Sequence, residues 1–268
     1  MLINETNNLE FLSNIEGVNL SFSRGGIVIT NQNWYAQPRY SAFTRIYYVT
    51  EGSGILYSDD EKIDIEPGYV YICPMGMKYG FYGTPSVSKL YFHIAVSTVD
   101  GSDLFSSYCH IIKLPCSVEH TKYLEKLYSS NEVYDHFQLK GEVLRTVADA
   151  IKKASSTESR LSGTVNAAIN YIRQNLSANL KVEDVATAVY ISRQKLNELF
   201  KKEMGQHVSD YIDELVMSEA HSMLQYTDLS IGEISEKLGF SDQFYFSRKF
   251  KKMFGFSPKK SSKQLRTP

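Results

Sequence analysis

Between Val182 and Gly255 the chain carries one pattern twice. Val182-Glu183-Asp184-Val185-Ala186-Thr187-Ala188-Val189-Tyr190-Ile191-Ser192 leads into Leu196-Asn197-Glu198-Leu199-Phe200-Lys201-Lys202 and closes at Gly205. Ile231-Gly232-Glu233-Ile234-Ser235-Glu236-Lys237-Leu238-Gly239-Phe240-Ser241 leads into Phe246-Ser247-Arg248-Lys249-Phe250-Lys251-Lys252 and closes at Gly255. The offset is 49 from Ser192 to Ser241 and 50 from Phe200 to Phe250, so the second copy has one extra residue in its turn. Each copy reads as a short helix, a tight turn and a second helix, the pattern of a helix-turn-helix. Val208 to Tyr226 reads as a long helix joining them, with Tyr211, Ile212, Leu215, Ala220 and Leu224 as its core positions.

The 268 residues are enough for two domains of ordinary size, and 43% hydrophobic residues support real cores. The net charge of −1 is unevenly spread. From Val165 onward there are 15 Lys and Arg against 12 Asp and Glu, whereas the remainder has 14 against 18, so the basic part coincides with the repeats. Cys73, Cys109 and Cys116 form no CxxC pair, which favours reduced thiols. Met1 to Glu10 lacks a basic-then-apolar signal pattern, and no apolar run is long enough to span a membrane, so a cytoplasmic protein with no membrane partner is expected.

Ahead of the repeats the text changes character. Ile27–Ile29, Thr44–Val49, Gly54–Tyr57, Lys62–Ile65, Tyr69–Ile72 and Lys89–Val96 are six strand candidates. Glu51-Gly52-Ser53-Gly54, Ser58-Asp59-Asp60-Glu61, Glu66-Pro67-Gly68 and Pro74-Met75-Gly76 read as the turns between them. Short strands at this spacing predict an antiparallel β-barrel or jelly roll over residues 1–117. Helical periodicity follows over 118–154, where Leu139, Val143, Val147 and Ile151 are spaced to pack against a twin helix, or equally against the barrel. A Ser/Thr-rich linker is expected at 155–163 and an all-α domain at 164–268, which makes the chain α+β.

A helix-turn-helix lays its second helix in the major groove, with the first turns against base edges. Ser192 is the natural cap of that helix in the first copy, and Arg193, Gln194 and Asn197 point outward. In the second copy Ser241 or Asp242 caps, and Gln243, Phe244, Ser247 and Arg248 point outward. Arg suits guanine, Gln and Asn suit adenine, and an exposed Phe suits a thymine methyl. Lys201, Lys202, Lys251 and Lys252 are placed to meet phosphates. A single outward Arg or Gln is ordinarily just a solvated side chain, so the repeated architecture is the stronger signal.

The segment from Val165 to Ser257 resembles the DNA-binding domain of AraC/XylS-type transcription regulators. The likeness is carried above all by Thr227-Asp228-Leu229-Ser230-Ile231, then Gly239-Phe240-Ser241-Asp242-Gln243-Phe244-Tyr245-Phe246-Ser247-Arg248-Lys249-Phe250-Lys251, and Gly255-Phe256-Ser257-Pro258. Tyr47 to Gly54 and Glu66 to Pro74 are similar, less specifically, to the cupin-like sensor that precedes such domains. The resemblance implies a regulator, an activator touching RNA polymerase, that binds double-stranded promoter DNA through two successive major-groove segments as a homodimer and answers to an effector in the barrel. Three departures stand out: Tyr190 occupies a turn position where the family usually has Gly, Val216 and Glu219 stand where it often has Arg, and Lys259-Lys260-Ser261-Ser262 replaces its usual aromatic-plus-Arg ending.

A catalytic cupin needs a His-rich metal site, yet the strand region has His93 alone and no His-x-His, so neither an enzyme, a metal nor a cofactor is expected. Its wealth of aromatics suits a carbohydrate or sugar derivative, and Arg24, Trp34, Arg39, Tyr47, Tyr79 and His93 are the candidate contacts. Arg24 and Arg39 would turn that effector into a sugar acid or sugar phosphate if they faced it. The alternative is a regulator whose barrel binds a protein partner instead of a metabolite.

Overall fold

The computed structural model describes residues 17–263 apart from 32–33, 42, 60, 76, 99–102, 107 and 156–160. Met1 to Glu10 and most of the expected linker therefore lie outside the described residues. Seven strands come first among the described residues: β1 (Asn19–Ile29), β2 (Tyr35–Arg39), β3 (Thr44–Tyr57), β4 (Lys62–Ile65), β5 (Tyr69–Cys73), β6 (Tyr79–Ser97) and β7 (Ile112–Pro115). All the pairings are antiparallel, along the path β1-β6-β3-β5-β7, with β2 beside the first part of β6 and β4 beside the last part of β3.

That path is open. β1 and β7 occupy opposite edges and do not pair, which corrects the expected closed barrel to an antiparallel sheet. A second correction concerns Glu51 to Gly54, which is an irregularity inside one long strand and no turn. Register shifts fall between Val49 and Glu51 and between Gly52 and Gly54, and β3 continues to Tyr57. Gly52 sits there at φ +80, where a Cβ would lie 2.0 Å from the carbonyl oxygen of Ser86. Glycine is needed at this bulge because only it takes that backbone so close to the neighbouring strand.

β3 runs through the middle of the sheet, covered on both faces, and so its first half is buried almost without interruption. Ile46 and Tyr48 face one side, with Leu90, Phe92 and Ile94 of β6. Tyr47 and Val49 face the other, with Leu56, Tyr71, Cys73 and Tyr79. The first face is covered by α1 (Val118–Tyr128) and α2 (Val133–Ser155), through Leu124, Leu127, Leu139, Val143, Val147 and Ala150. Tyr48 donates to Thr146 Oγ1 at 2.8 Å, and Tyr128 donates to the Gly25 carbonyl at 2.7 Å. Leu139, Val143 and Val147 are thus committed to their own sheet, with Ile151 packed partly beside them, which leaves no surface on the first three for a twin helix. Covering a sheet with such side chains contributes about 1.5–3 kcal/mol each.

Seven helices follow among the described residues: α3 (Gly163–Gln174), α4 (Val182–Ala188), α5 (Arg193–Met204), α6 (Val208–Tyr226), α7 (Ile231–Lys237), α8 (Gln243–Phe254) and α9 (Pro258–Lys263). They share one core, in which α6 supplies Tyr211, Ile212, Leu215, Val216, Met217, Ala220 and Leu224 between Phe200 of α5 and Phe246 and Phe250 of α8. Tyr40, from the connection between β2 and β3, belongs to this helical core and not to the sheet.

Candidate DNA interface and effector face

The two copies of the repeat fold as α4-turn-α5 and α7-turn-α8. Ser192 Oγ accepts from Lys195 N–H at 3.2 Å and starts α5. The extra residue of the second copy resolves its cap. Asp242 starts α8 by accepting from the N–H groups of Phe244 and Tyr245 at 2.9 and 2.8 Å, which holds its carboxyl below the usual range. Both helices end on a left-handed glycine, Gly205 at φ 72 and Gly255 at φ 80.

Arg193 and Gln194 are exposed at the start of α5, and Gln243, Phe244 and Arg248 at the start of α8, with Phe244 at 75% exposure. Asn197 and Ser247, one turn further in, are half-buried. Asn197 is turned toward α6: its Oδ1 accepts from the Val208 N–H at 3.4 Å, and its Nδ2 donates to the Arg193 carbonyl at 3.2 Å. Lys201, Lys202, Lys251 and Lys252 are exposed in the last turns. Sequence reasoning passed over Lys195 and Tyr245, which share the exposed first turns. Their one-residue offset from the named positions was the available signal, since each first turn presents three consecutive side chains.

The sheet face away from α1 and α2 gathers four of the six residues expected to contact an effector. Trp34 stacks on Phe81 at 4.6 Å and meets Tyr47 edge-on at 6.1 Å. Arg45 donates to Tyr79 Oη at 2.6 Å, and Phe43 stacks on His93 at 4.1 Å. Arg24 reaches the same neighbourhood from the edge strand, donating to Tyr91 Oη at 2.6 Å. Burial pushes His93 down to about 2, helped by Arg45, Arg24 and Lys89. Cys73, free and buried on this face, is pushed up to about 12 by burial. Arg39 stands elsewhere, its guanidinium 4.3 Å from the ring of Phe254 in α8.

Arg45, Lys89 and Phe43 were missed. The strand register would have found the first two: Arg45 pairs with His93, Tyr47 with Tyr91 and Val49 with Lys89, and paired residues share a face. Phe43 sits just before β3, where no periodicity applies. Among the described residues no group of three or more His, Cys, Asp or Glu is arranged to hold a metal ion, and no helix is long and apolar enough to cross a membrane.

The sheet and the helical domain meet at named contacts. Ser218 of α6 donates to the Tyr40 carbonyl at 3.0 Å, and the Tyr40 ring meets Tyr211 edge-on at 4.8 Å. Arg173 of α3 donates to the Met75 carbonyl at 2.5 Å and to Tyr211 Oη at 3.1 Å, and Lys78 lies 3.5 Å from Glu214.

Comparison with known proteins agrees with this geometry. A family described as a helix-turn-helix domain matches residues 185–264. The Msm operon regulatory protein of Streptococcus mutans is 26% identical over 236 residues, 82% of this chain and 84% of that protein. The lactose operon transcription activator of Staphylococcus xylosus is 26% identical over 240 residues, 81% of this chain and 84% of that one. The xylose operon regulatory protein of Escherichia coli is 35% identical over 108 residues, 40% of this chain and 28% of that one. Among solved structures, ToxT of Vibrio cholerae has the same fold, with a TM-score of 0.64 at 15% identity over 95% of this chain and 98% of that one. The duplicated helix-turn-helix on one core is thus similar, over residues 185–264, to an AraC-type DNA-binding domain, and the chain as a whole resembles transcription regulators that carry such a domain behind an antiparallel sheet.

Proposed function

We propose that this chain is a transcription regulator that acts in the cytoplasm as a homodimeric activator: it binds two successive major-groove segments of a promoter, contacts RNA polymerase, and answers to a small molecule held on the sheet face lined by Trp34, Tyr47, Tyr79 and His93. The preferred effector is a sugar or sugar derivative, supported by the aromatic lining and by relatives named for the Msm, lactose and xylose operons. Residues 1–117 form the sensor, 118–154 the dimerisation segment, 155–163 the linker and 164–268 the DNA-binding domain. Arg193 and Gln194, with Gln243, Phe244, Ser247 and Arg248, read bases, joined by Lys195 and Tyr245, while Asn197, expected among them, braces the start of α6. Lys201, Lys202, Lys251 and Lys252 hold phosphates. The second copy docks on the apolar side chains that α1 and α2 leave exposed, namely Tyr123, Tyr134, Phe137 and Leu144.

One observation carries the reading. The segment from Arg39 to Phe43 joins the effector face to the DNA-binding core: Phe43 rests on His93, Tyr40 is seated against Tyr211 and Ser218 of α6, and Arg39 covers Phe254 of α8. A ligand that moves His93 or Arg45 acts on a segment whose other end is packed into the helices that carry both reading helices, and so it shifts the population competent for DNA. The test pairs a thermal-shift screen with lactose, xylose and their acid and phosphate derivatives with promoter binding by fluorescence anisotropy. In Tyr40→Ala the active compound should still raise the melting temperature while its effect on DNA affinity shrinks several-fold. An undiminished effect on DNA affinity would remove this segment from the coupling.

A further inference from the structure

Lys89 is the most anomalous charged group in the sheet. It is 2% exposed, its Nζ has no hydrogen-bond partner, and the ammonium lies 3.3 Å from the ring centroid of Trp34 and 3.9 Å from that of Tyr47. An aromatic face attracts a cation but accepts none of its three N–H bonds in full, so burial holds the Lys89 amine well below the usual lysine range, and an anion beside it favours its charged form. The charged groups acting on its neighbour His93 are all cations, Arg45, Arg24 and Lys89 itself. Arg45 donates to the phenol of Tyr79 and Arg24 to that of Tyr91. Glu61, which acts on Cys73 beside them, accepts from the Ile111 N–H at 2.7 Å. The face that collects the aromatics therefore also collects positive charge around a buried donor with no acceptor.

We propose that the effector is an anion, a carboxylate or phosphate on a body that stacks against Trp34 and Tyr47, and that Lys89 is the residue that binds its charged group. The proposal rests on the reading of this face as the effector site and narrows it: a neutral sugar satisfies the aromatic rings but leaves the Lys89 ammonium as it is. An anion supplies the acceptor that the Lys89 Nζ lacks, in a setting of low polarity where a charge-assisted hydrogen bond is strong. Trp34, half-buried and carried between β1 and β2, is the ring that shifts to admit the ligand.

Trp34 is the only tryptophan of the chain, so its fluorescence reports this site directly. The experiment titrates the full-length protein with galacturonate, galactose 1-phosphate, inorganic phosphate and galactose at constant ionic strength, following Trp34 emission and melting temperature. Lys89→Met serves as the variant, and it is expected to fold and melt no lower than the wild type because it removes an uncompensated buried cation. A saturable change with at least one anion, weakened tenfold or more in Lys89→Met, supports the proposal, and the carboxylate and phosphate arms say which group is preferred. Galactose acting as strongly as galacturonate, and equally in both proteins, overturns the charge assignment while leaving the effector face in place. Anions that leave Trp34 and the melting temperature unmoved overturn it too, and silence from galactose as well counts against the effector face itself.

Discussion

The two helix-turn-helix units share a backbone but not an electrostatic design. Residues 182–205 hold four acidic and four basic side chains, residues 231–255 three acidic and five basic. In the first unit the second helix, α5, is paired with acids of its own unit. Arg193 bridges to Glu183 at 2.7 Å, Gln194 donates to Glu198 at 3.2 Å, and Lys195 lies 3.7 Å from Glu198. In the second, Arg248 stands where the first has Glu198, and Phe244 and Tyr245 stand exposed where the first has Gln194 and Lys195. The difference extends to the local backbone. α7 has a reciprocal cap, Ser230 Oγ accepting from the Glu233 N–H and Glu233 accepting from the Ser230 N–H at 2.7 Å, whereas α4 has only the Asp184 carboxylate on the Lys181 N–H at 3.3 Å. The turn after α7 takes Gly239 at φ 78, and the turn after α4 takes Tyr190 at φ 58. A repeat in sequence thus fixes a repeat of core positions, while the outward side chains are free to diverge in charge and shape.

The harshest test of a common core is Phe250→Ala. That ring touches Phe246, Phe254, Phe256 and His221, so its loss should cost about 3–5 kcal/mol in denaturant melts, as should Phe200→Ala. A single transition is expected for residues 163–263 in either variant, and two separable transitions would break the picture of one shared core. Acid should next distinguish the units. Burial pushes His221 down to about 4, with Arg39 and Arg45 of the sheet side adding to it. The unfolded chain, with an ordinary histidine near 6.5, binds the proton first as pH falls, so stability held above that value is lost between about pH 6.5 and 4, by at most about 3 kcal/mol. His221→Leu should flatten the melting temperature across this window; an unchanged slope would assign the acid sensitivity to other groups.

At a cognate promoter, Arg248→Ala should cost about 1–3 kcal/mol and relax one base position, whereas Glu198→Ala at the matching site should leave affinity equal or raised. Equal losses from both would mean that the two helices read alike after all. For the turns, Gly239→Ala should destabilise by about 1–3 kcal/mol, since its Cβ would meet Ser177 Oγ at 2.2 Å in a left-handed backbone. Tyr190→Gly, at a side chain 95% exposed, should instead gain up to about 1 kcal/mol. Thermal melts that put the two changes in the same direction would deny the strain at Tyr190. The smallest effect belongs to Glu183→Gln, which frees Arg193 from an exposed ion pair worth a few tenths of a kcal/mol. DNA binding about twofold tighter is the expected result, and weaker binding would place Glu183 itself in the interface.

Much of this was legible in the residues. The duplicated apolar spacing gave both units, Ser192 marked one cap and Ser241-Asp242 narrowed the other to two, and alternating Tyr, Ile and Val marked most strands. These are local signals, carried by periods of 3.6 and 2 that survive any tertiary arrangement. Where glycine served two purposes the local signal misled: Glu51-Gly52-Ser53-Gly54 has the composition of a turn, but neighbours on both sides of β3 hold it as a bulge. β2 and β7 went unseen because they are short and draw their stability from pairing with β6 and β5.

The sequence by itself determined the type of DNA-binding domain, because its core residues must recur at fixed helical spacing whatever surrounds them. Only the tertiary structure decided the partners of side chains whose own segment offers them a choice. Leu139 and Val143 turned to their own sheet, since that apolar face lay within reach and burial there asks for no second chain. Arg39, paired in register with Tyr79, turned away to an aromatic ring of the helical domain, and Tyr40 beside it entered the core of that domain. Lys89, one unremarkable letter in a strand, became a buried cation between two rings because the register of β3 and β6 left its side chain no route to water.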